Sequence, residues 1–213
     1  LSCSASRPNG FAQALGDLAD LYRLQGRYDE AQASYDRAYD VLRPDLGLDH
    51  PLVASLQARM AELYRLQGRH LRSEELQRQV LERRERLLGV DHPDVAESVD
   101  WLGLLFADRG RYVDAEDLFR RALAIRGKCF GPRSAAAALT MRHLAALYAT
   151  QRRFEEASAL YRQVLTLQRR ALGKGHPEVA RTMEEMAALF RQTGRPAEAE
   201  ELYQSAKLIR THN

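Results

Sequence analysis

Residues 26–38 read GRYDEAQASYDRA, and four further segments of the same kind follow at intervals of 42 residues. They read GRHLRSEELQRQV from residue 68, GRYVDAEDLFRRA from residue 110, RRFEEASALYRQV from residue 152 and GRPAEAEELYQSA from residue 194. Self-similarity at one fixed period is the sequence signature of a repeat architecture. The 213 residues are therefore predicted to form five copies of one structural unit.

Each copy carries two apolar stripes with helical spacing, separated by a turn. In the first copy Leu15, Ala19 and Tyr22 share a helical face before the turn, and Tyr35 belongs to the stripe after it. Gly26 supplies the left-handed backbone that commonly ends a helix. Alanine and leucine account for 63 residues, against 17 for Val, Ile and Thr, which favours helix over strand. The prediction is an all-α fold of five helix-turn-helix hairpins, or about ten antiparallel helices.

Arg152 stands at the turn position that is glycine in the other four copies. If that position has a positive φ, a residue with a Cβ costs up to about 1 kcal/mol there.

The links between the copies predict helix N-caps. Asp-His-Pro at 49–51 and 91–93 and Gly-His-Pro at 175–177 place a polar residue before a proline at the first helical position, and Ser134 replaces histidine in the fourth copy. Three histidines at equal spacing could also hold a metal ion. Helix layers about 8–10 Å apart, however, cannot bring them to one ion with contacts of about 2.0–2.1 Å. We expect capping, with no metal site and no cofactor.

The order small residue, aromatic, turn, alanine, aromatic, alanine resembles the tetratricopeptide repeat (TPR) family. The 42-residue length, with Leu-Gly-x-x-His-Pro between units, is similar to the repeats of kinesin light chain and nephrocystin-3 and of many bacterial TPR proteins. The resemblance covers residues 9–212 after a tail at 1–8. It implies a right-handed α-solenoid with repeats at about 9–50, 51–92, 93–134, 135–176 and 177–212. In such a solenoid the first helices line a concave groove that binds a peptide or helix of a partner.

The resemblance also implies which side chains face that groove. The candidate partner-binding residues are Asp20, Arg23, Arg59, Glu62, Arg65, Asp100, Trp101, Arg142, His143, Arg181 and Glu185, with Ser55, Ala58 and Glu97 among the other residues on the same faces. Trp101 either anchors a partner side chain or packs across the groove onto neighbouring first helices. Neither the carboxylate clamp of chaperone-binding members nor the paired asparagines of kinesin light chains occurs at the matching positions, so both of those roles are disfavoured.

An enzyme is disfavoured because the sequence has no Gly-rich phosphate loop, no nucleophile elbow and no His-Glu-x-x-His motif. The leading hypothesis is a non-catalytic scaffold or adaptor that binds a protein or peptide. The alternative is a sensor or regulatory TPR arm of a larger signalling or nucleotide-binding protein. A nucleic-acid binder is a weaker third reading. The net charge is only +3, and the clusters Arg83-Arg84-Arg86, Arg120-Arg121 and Arg169-Arg170 are expected on the outer side of the second helices.

The compartment is weakly constrained because the chain begins with Leu1 and not Met. Residues 1–4, LSCS, are similar to the end of a bacterial lipoprotein signal, although an arbitrary start of the sequence is favoured. Two cysteines exclude a disulfide framework, and no apolar run approaches the roughly 20 residues of a membrane span. We expect a cytoplasmic monomer, with a secreted or lipid-anchored location left open.

Overall fold

The structure, a computed structural model, describes residues 6–211, with side chains from residue 9. The lipoprotein-like residues 1–4 lie outside this range. Within it the chain forms helices α1 (Ser6–Leu24), α2 (Tyr28–Leu46), α3 (Pro51–Leu66), α4 (His70–Leu88), α5 (Pro93–Asp108), α6 (Tyr112–Phe130), α7 (Ala135–Thr150), α8 (Phe154–Leu172), α9 (Pro177–Gln192) and α10 (Pro196–Thr211). The predicted all-α class is confirmed. None of these helices is both long and apolar enough to cross a membrane.

The chain divides into two compact units, residues 1–105 (the N-terminal unit) and residues 106–213 (the C-terminal unit). In the N-terminal unit α1 pairs with α2, α3 pairs with α4, and α2 also packs on α3. In the C-terminal unit α7 pairs with α8, α9 pairs with α10, and α6 and α8 pack on the first helices that follow them. The second helix of a hairpin thus covers the first helix of the next. The predicted single domain over 9–212 stays a prediction.

The turns inside the hairpins share one geometry. Gly26, Gly68, Gly110 and Gly194 have φ between 72° and 75°, and the residue after each donates its N–H to the carbonyl of the aromatic residue that ends the first stripe. The arginine that follows the turn glycine also lies over that aromatic ring, for example 4.3 Å from the centroid of Tyr22. This cation–π contact links the turn to the end of the first helix.

The predicted N-caps are confirmed. The Nδ1 atoms of His50, His92 and His176 accept a backbone N–H two residues further on, at 3.1–3.2 Å. The Ser134 hydroxyl accepts the N–H of Ala137 at 3.2 Å. Each side chain satisfies a backbone donor that the first turn of a helix cannot pair internally.

Successive hairpins meet through a pair of residues 14 positions apart. The first such pair is apolar, Leu42 with Leu56, and both side chains are buried in one core cluster. The later pairs are polar: Arg84 donates to the Ser98 hydroxyl at 2.8 Å, Arg126 donates to Thr140, and the Thr182 hydroxyl donates to Gln168 at 2.8 Å. The expectation that Arg84 lies on the outer side was wrong. Its side chain is only 4% exposed, because the register of α4 turns that position toward α5.

Arg152 has a φ of 60°, the only positive φ of a residue other than glycine among residues 6–211. We expect Arg152→Gly to raise the free energy of unfolding by about 0.5–1 kcal/mol, because glycine adopts this conformation without a Cβ clash. Chemical denaturation followed by circular dichroism measures the change. Gly110→Ala, at the equivalent turn, is the matched control and should lower stability by a similar amount. A destabilised Arg152→Gly variant would show that the arginine side chain itself supports the turn.

Candidate interaction surface

A cavity of about 120 Å³ opens between first helices α3 and α5 of the N-terminal unit. Its lining includes Ser55, Ala58 and Trp101, together with Arg23, Arg59, Glu62, Glu97 and Arg84. All but Arg84 belong to the faces that the resemblance assigned to a groove. The cavity exists because α3 has the small residues Ser55 and Ala58 where α7 has Leu139 and Arg142. The half-buried indole of Trp101 forms one of its walls.

A polar network centred on Asp20 borders this cavity. Arg59 reaches across from α3 and pairs with Asp20 at 2.8 Å, while Arg23 pairs with the same carboxylate at 3.4 Å. The Tyr35 hydroxyl donates to Asp20 at 2.5 Å. Burial of the phenol, reinforced by the hydrogen bond and negative charge of Asp20, raises the pKa of Tyr35 to about 12. Tyr35 is therefore protonated at neutral pH and remains a hydrogen-bond donor.

Gly16 is what allows Arg59 to lie across helix α1. A Cβ on Gly16 would come within 2.9 Å of the Arg59 Nη2 atom. The guanidinium consequently fills the place of a side chain and is held there by Asp20, with Asp17 at 3.4 Å. On the other side of the cavity, Glu62 is buried and receives two hydrogen bonds from Arg65, at 2.8 and 2.9 Å. The charges around the cavity are thus largely neutralised by one another.

The predicted residues of α7 and α9 form a second cluster, in the C-terminal unit. Arg142 is 4% exposed and pairs with Glu185 at 2.6 Å, and Arg181 approaches the same carboxylate at 3.4 Å. Burial and the negative charge of Glu185 raise the pKa of the neighbouring Tyr161 well above its usual value, against the opposing effect of Arg142. His143 is half-buried, with its ring centroid 5.9 Å from that of Phe119.

The predicted site residues therefore fall into two groups. Seven lie in the N-terminal unit, where Trp101, Arg23, Arg59 and Glu62 line one cavity. Four lie in the C-terminal unit. Asp100, Glu62 and Arg142 are buried, which suits them to hold neighbouring side chains in place more than to touch a partner.

Arg84 is the cavity residue that sequence reasoning missed. It comes from second helix α4 and donates to the Asp94 carbonyl at 2.9 Å and to Glu97 at 3.0 Å, in addition to Ser98. The signal was present in the repeat: positions 14 apart change together from Leu42 with Leu56 to Arg84 with Ser98. The part of the chain that the structure describes contains no group of three or more His, Cys, Asp or Glu side chains placed to hold a metal ion.

Comparison with known proteins agrees with this architecture. The family described as "Tetratricopeptide repeat" matches residues 10–72, 52–128, 98–170 and 134–207. The comparison with curated proteins finds no match to this sequence.

Similar solved structures include BtubC (BKLC) from P. vanneervenii, which is 22% identical with a TM-score of 0.74, over 98% of this chain and 83% of that one. The TPR-like repeats of a putative kinesin light chain from Podosopora anserina are 24% identical with a TM-score of 0.67, over 97% of both chains. The Rap conjugation gene regulator of plasmid pLS20, in complex with the Phr* peptide, is 16% identical with a TM-score of 0.78, over 91% of this chain and 52% of that one. At these identities the similarity concerns the fold alone.

Proposed function

Because this chain belongs to the tetratricopeptide repeat family, we propose that it is a non-catalytic interaction scaffold that binds a peptide or helical segment of a partner protein along its first helices. Repeats of this family are generally protein-binding scaffolds, and no enzymatic family is indicated. A peptide is bound by the Rap regulator that shares the fold. The proposal includes a cytoplasmic location.

The cavity beside Trp101 is the observation that carries the proposal. About 120 Å³ is close to the size of a cavity that takes one benzene-sized group, so the cavity accommodates one partner side chain. Binding hot spots are typically such pockets, where an aromatic anchor is surrounded by polar groups that exclude water. Trp101 supplies the aromatic wall, and the ion pairs around Asp20 and Glu62 supply the polar surround.

The charges also indicate how a partner is selected. Arg59, Arg65 and Arg84 each have a carboxylate partner within 3.0 Å, so the cavity offers little uncompensated charge to a ligand. We expect an uncharged apolar side chain to enter it. Because few counterions are released when such a side chain binds, the affinity should change only about twofold between about 50 and 500 mM salt.

Trp101 is the only tryptophan in the chain and reports directly on occupancy. Peptides selected from a random displayed library on the immobilised protein are titrated while the Trp101 emission is followed. We expect a saturable shift in emission, and Ser55→Leu, which fills the cavity without removing a charge, should weaken binding at least about tenfold. Ala33→Leu adds the same side chain on an exposed face of α2 and is the matched control.

Two outcomes would contradict the proposal. Selected peptides that bind without changing the Trp101 emission would place the binding site elsewhere. Equal affinity for wild type and Ser55→Leu, with both proteins folded, would show that the cavity is not used.

A regulatory arm of a larger protein is the second candidate. It is favoured by the comparison with the Rap regulator, of which this chain covers about half (52%). Reading the codons upstream of Leu1 tests it: an ATPase or DNA-binding domain in the same frame supports the regulatory role, and a start codon directly before Leu1 opposes it.

A further inference from the structure

A second cavity, of about 500 Å³, lies in the C-terminal unit between α7, α8 and the link that precedes α7. Three arginines line it, Arg133 from the link and Arg162 and Arg170 from α8, and all three are exposed. Met141 and Leu167 provide an apolar part of the lining. None of these residues belongs to the faces assigned to the groove. The volume falls in the range of ligand-binding clefts.

The three guanidinium groups are not spent on internal ion pairs. Within residues 6–211 no carboxylate lies within 4.0 Å of Arg133, Arg162 or Arg170, whereas most arginines near the Trp101 cavity have such a partner. Arg162 acts at longer range on Glu198, which is itself hydrogen-bonded to Arg195. The cavity therefore presents positive charge that its own walls do not neutralise.

The repeat supplies an internal reference for this site. In the N-terminal unit, Asp49 of the link pairs with Arg86 of α4 at 2.6 Å. The residues 84 positions further on are Arg133 and Arg170. An aspartate–arginine ion pair has thus become two arginines on one cavity. Like charges placed close together raise the free energy of the empty site, and a bound anion relieves that repulsion.

The surrounding sequence has the same polarity. Residues 118–177 contain twelve arginines and lysines but only two acidic residues, Glu155 and Glu156. The net charge of this segment is about +10, although the whole chain carries only +3. Such a segment attracts an acidic partner over a distance of about one Debye length and raises its rate of association.

We propose that the cavity lined by Arg133, Arg162 and Arg170 is a second docking site, which takes an acidic segment of a protein partner. Carboxylates of that segment pair with the arginines, and an apolar side chain between them packs on Met141 and Leu167. This site does not depend on the proposed use of the Trp101 cavity. A protein segment is favoured over nucleic acid because no aromatic residue lines the cavity, whereas pockets for single-stranded nucleic acid commonly stack bases on aromatic rings.

The probe is a fluorescently labelled peptide, EDLED, acetylated and amidated at its ends, titrated into the full chain and followed by anisotropy at about 50 mM salt. We expect saturable binding that weakens steeply with salt. The peptide KKLKK should not bind, and EDSED, which lacks the apolar side chain, should bind at least about fivefold more weakly.

Arg133→Asp is the decisive variant, because it restores the aspartate–arginine arrangement seen at Asp49 and Arg86 and so should fold as well as wild type. It should weaken EDLED binding at least about tenfold, and Arg170→Asp should do the same. Arg169→Asp changes the net charge by the same amount at the neighbouring exposed residue, outside the cavity lining, and should alter binding by less than about threefold.

Three results would overturn the proposal. Equal loss of binding in Arg169→Asp and Arg170→Asp would mean that EDLED responds to net charge and not to the cavity. Equal affinity for EDLED and EDSED would remove the apolar part of the site. Tighter binding of a duplex DNA of about 20 base pairs than of EDLED would identify a nucleic-acid surface.

Discussion

Replacing Leu63 with alanine is expected to lower the free energy of unfolding by about 3 kcal/mol, whereas Leu21→Ala should lower it by less than about 0.5 kcal/mol. The two leucines occupy the same position of the repeat, 42 residues apart, each three residues before the end of a first helix. Each is preceded by an acid and followed by a tyrosine. Helix propensity and local sequence therefore contribute nearly the same to both variants.

Burial is what separates them. Leu63 is 1% exposed in a cluster with residues of the preceding second helix, including Tyr35 and Leu42. Leu21 is 56% exposed on α1. Truncating a buried leucine removes its transfer free energy and leaves a cavity, while truncating an exposed one does neither.

Chemical denaturation of both variants, followed by circular dichroism, measures the difference. Leu147→Ala repeats the buried change in the C-terminal unit, where the equivalent leucine is also buried, and should resemble Leu63→Ala. A Leu21→Ala variant as unstable as Leu63→Ala would show that the exposed face of α1 is covered in solution.

The second large effect concerns the pair at the junction of α4 with α5. Arg84→Leu is expected to cost about 2–3 kcal/mol, because it leaves the fully buried hydroxyl of Ser98 without its donor. Ser98→Leu alone should cost a similar amount, since it removes an acceptor from a buried guanidinium and crowds the contact. The double variant copies the natural Leu42 and Leu56 pair of the preceding junction. It should return to within about 1 kcal/mol of wild type.

A double-mutant cycle based on denaturation free energies tests this coupling. The expected coupling energy is at least about 2 kcal/mol in favour of the matched pairs. Additive losses in the double variant would mean that the polar pair contributes through other contacts, such as that between Arg84 and Glu97. The Leu42→Ala variant serves as the reference for losing the apolar pair.

Part of the candidate site could be predicted from the repeat register. Trp101, Ser55 and Arg59 were assigned to one face before their positions were known, because residues at equal places in a 42-residue unit occupy equivalent helical faces. The structure places all three on one cavity. Arg84 was missed because late second-helix arginines read as solvated cations, and only the packing of α4 on Ser98 shows that this one is buried.

The charged residues show the same limit. Asp20, Arg59 and Glu62 were expected to face a partner, but the sequence does not state that Arg59 crosses α1 above Gly16 or that Arg65 encloses the Glu62 carboxylate. Whether a charge is offered to a ligand or neutralised within the protein depends on side-chain geometry between helices. Conversely, the unpaired arginines at 133, 162 and 170 became a site only when α7 and α8 brought them to one cavity.

The sequence by itself determined the helices, their caps, the turn at each glycine and the repeat that pairs them, because these features follow from local periodicity and backbone preferences within about 42 residues. The tertiary structure alone decided which charges are neutralised, which small residues leave a cavity and which arginines converge. Those properties arise from distances between side chains on different helices. Such distances are set by close packing across hairpins, and no pattern along the chain encodes them directly.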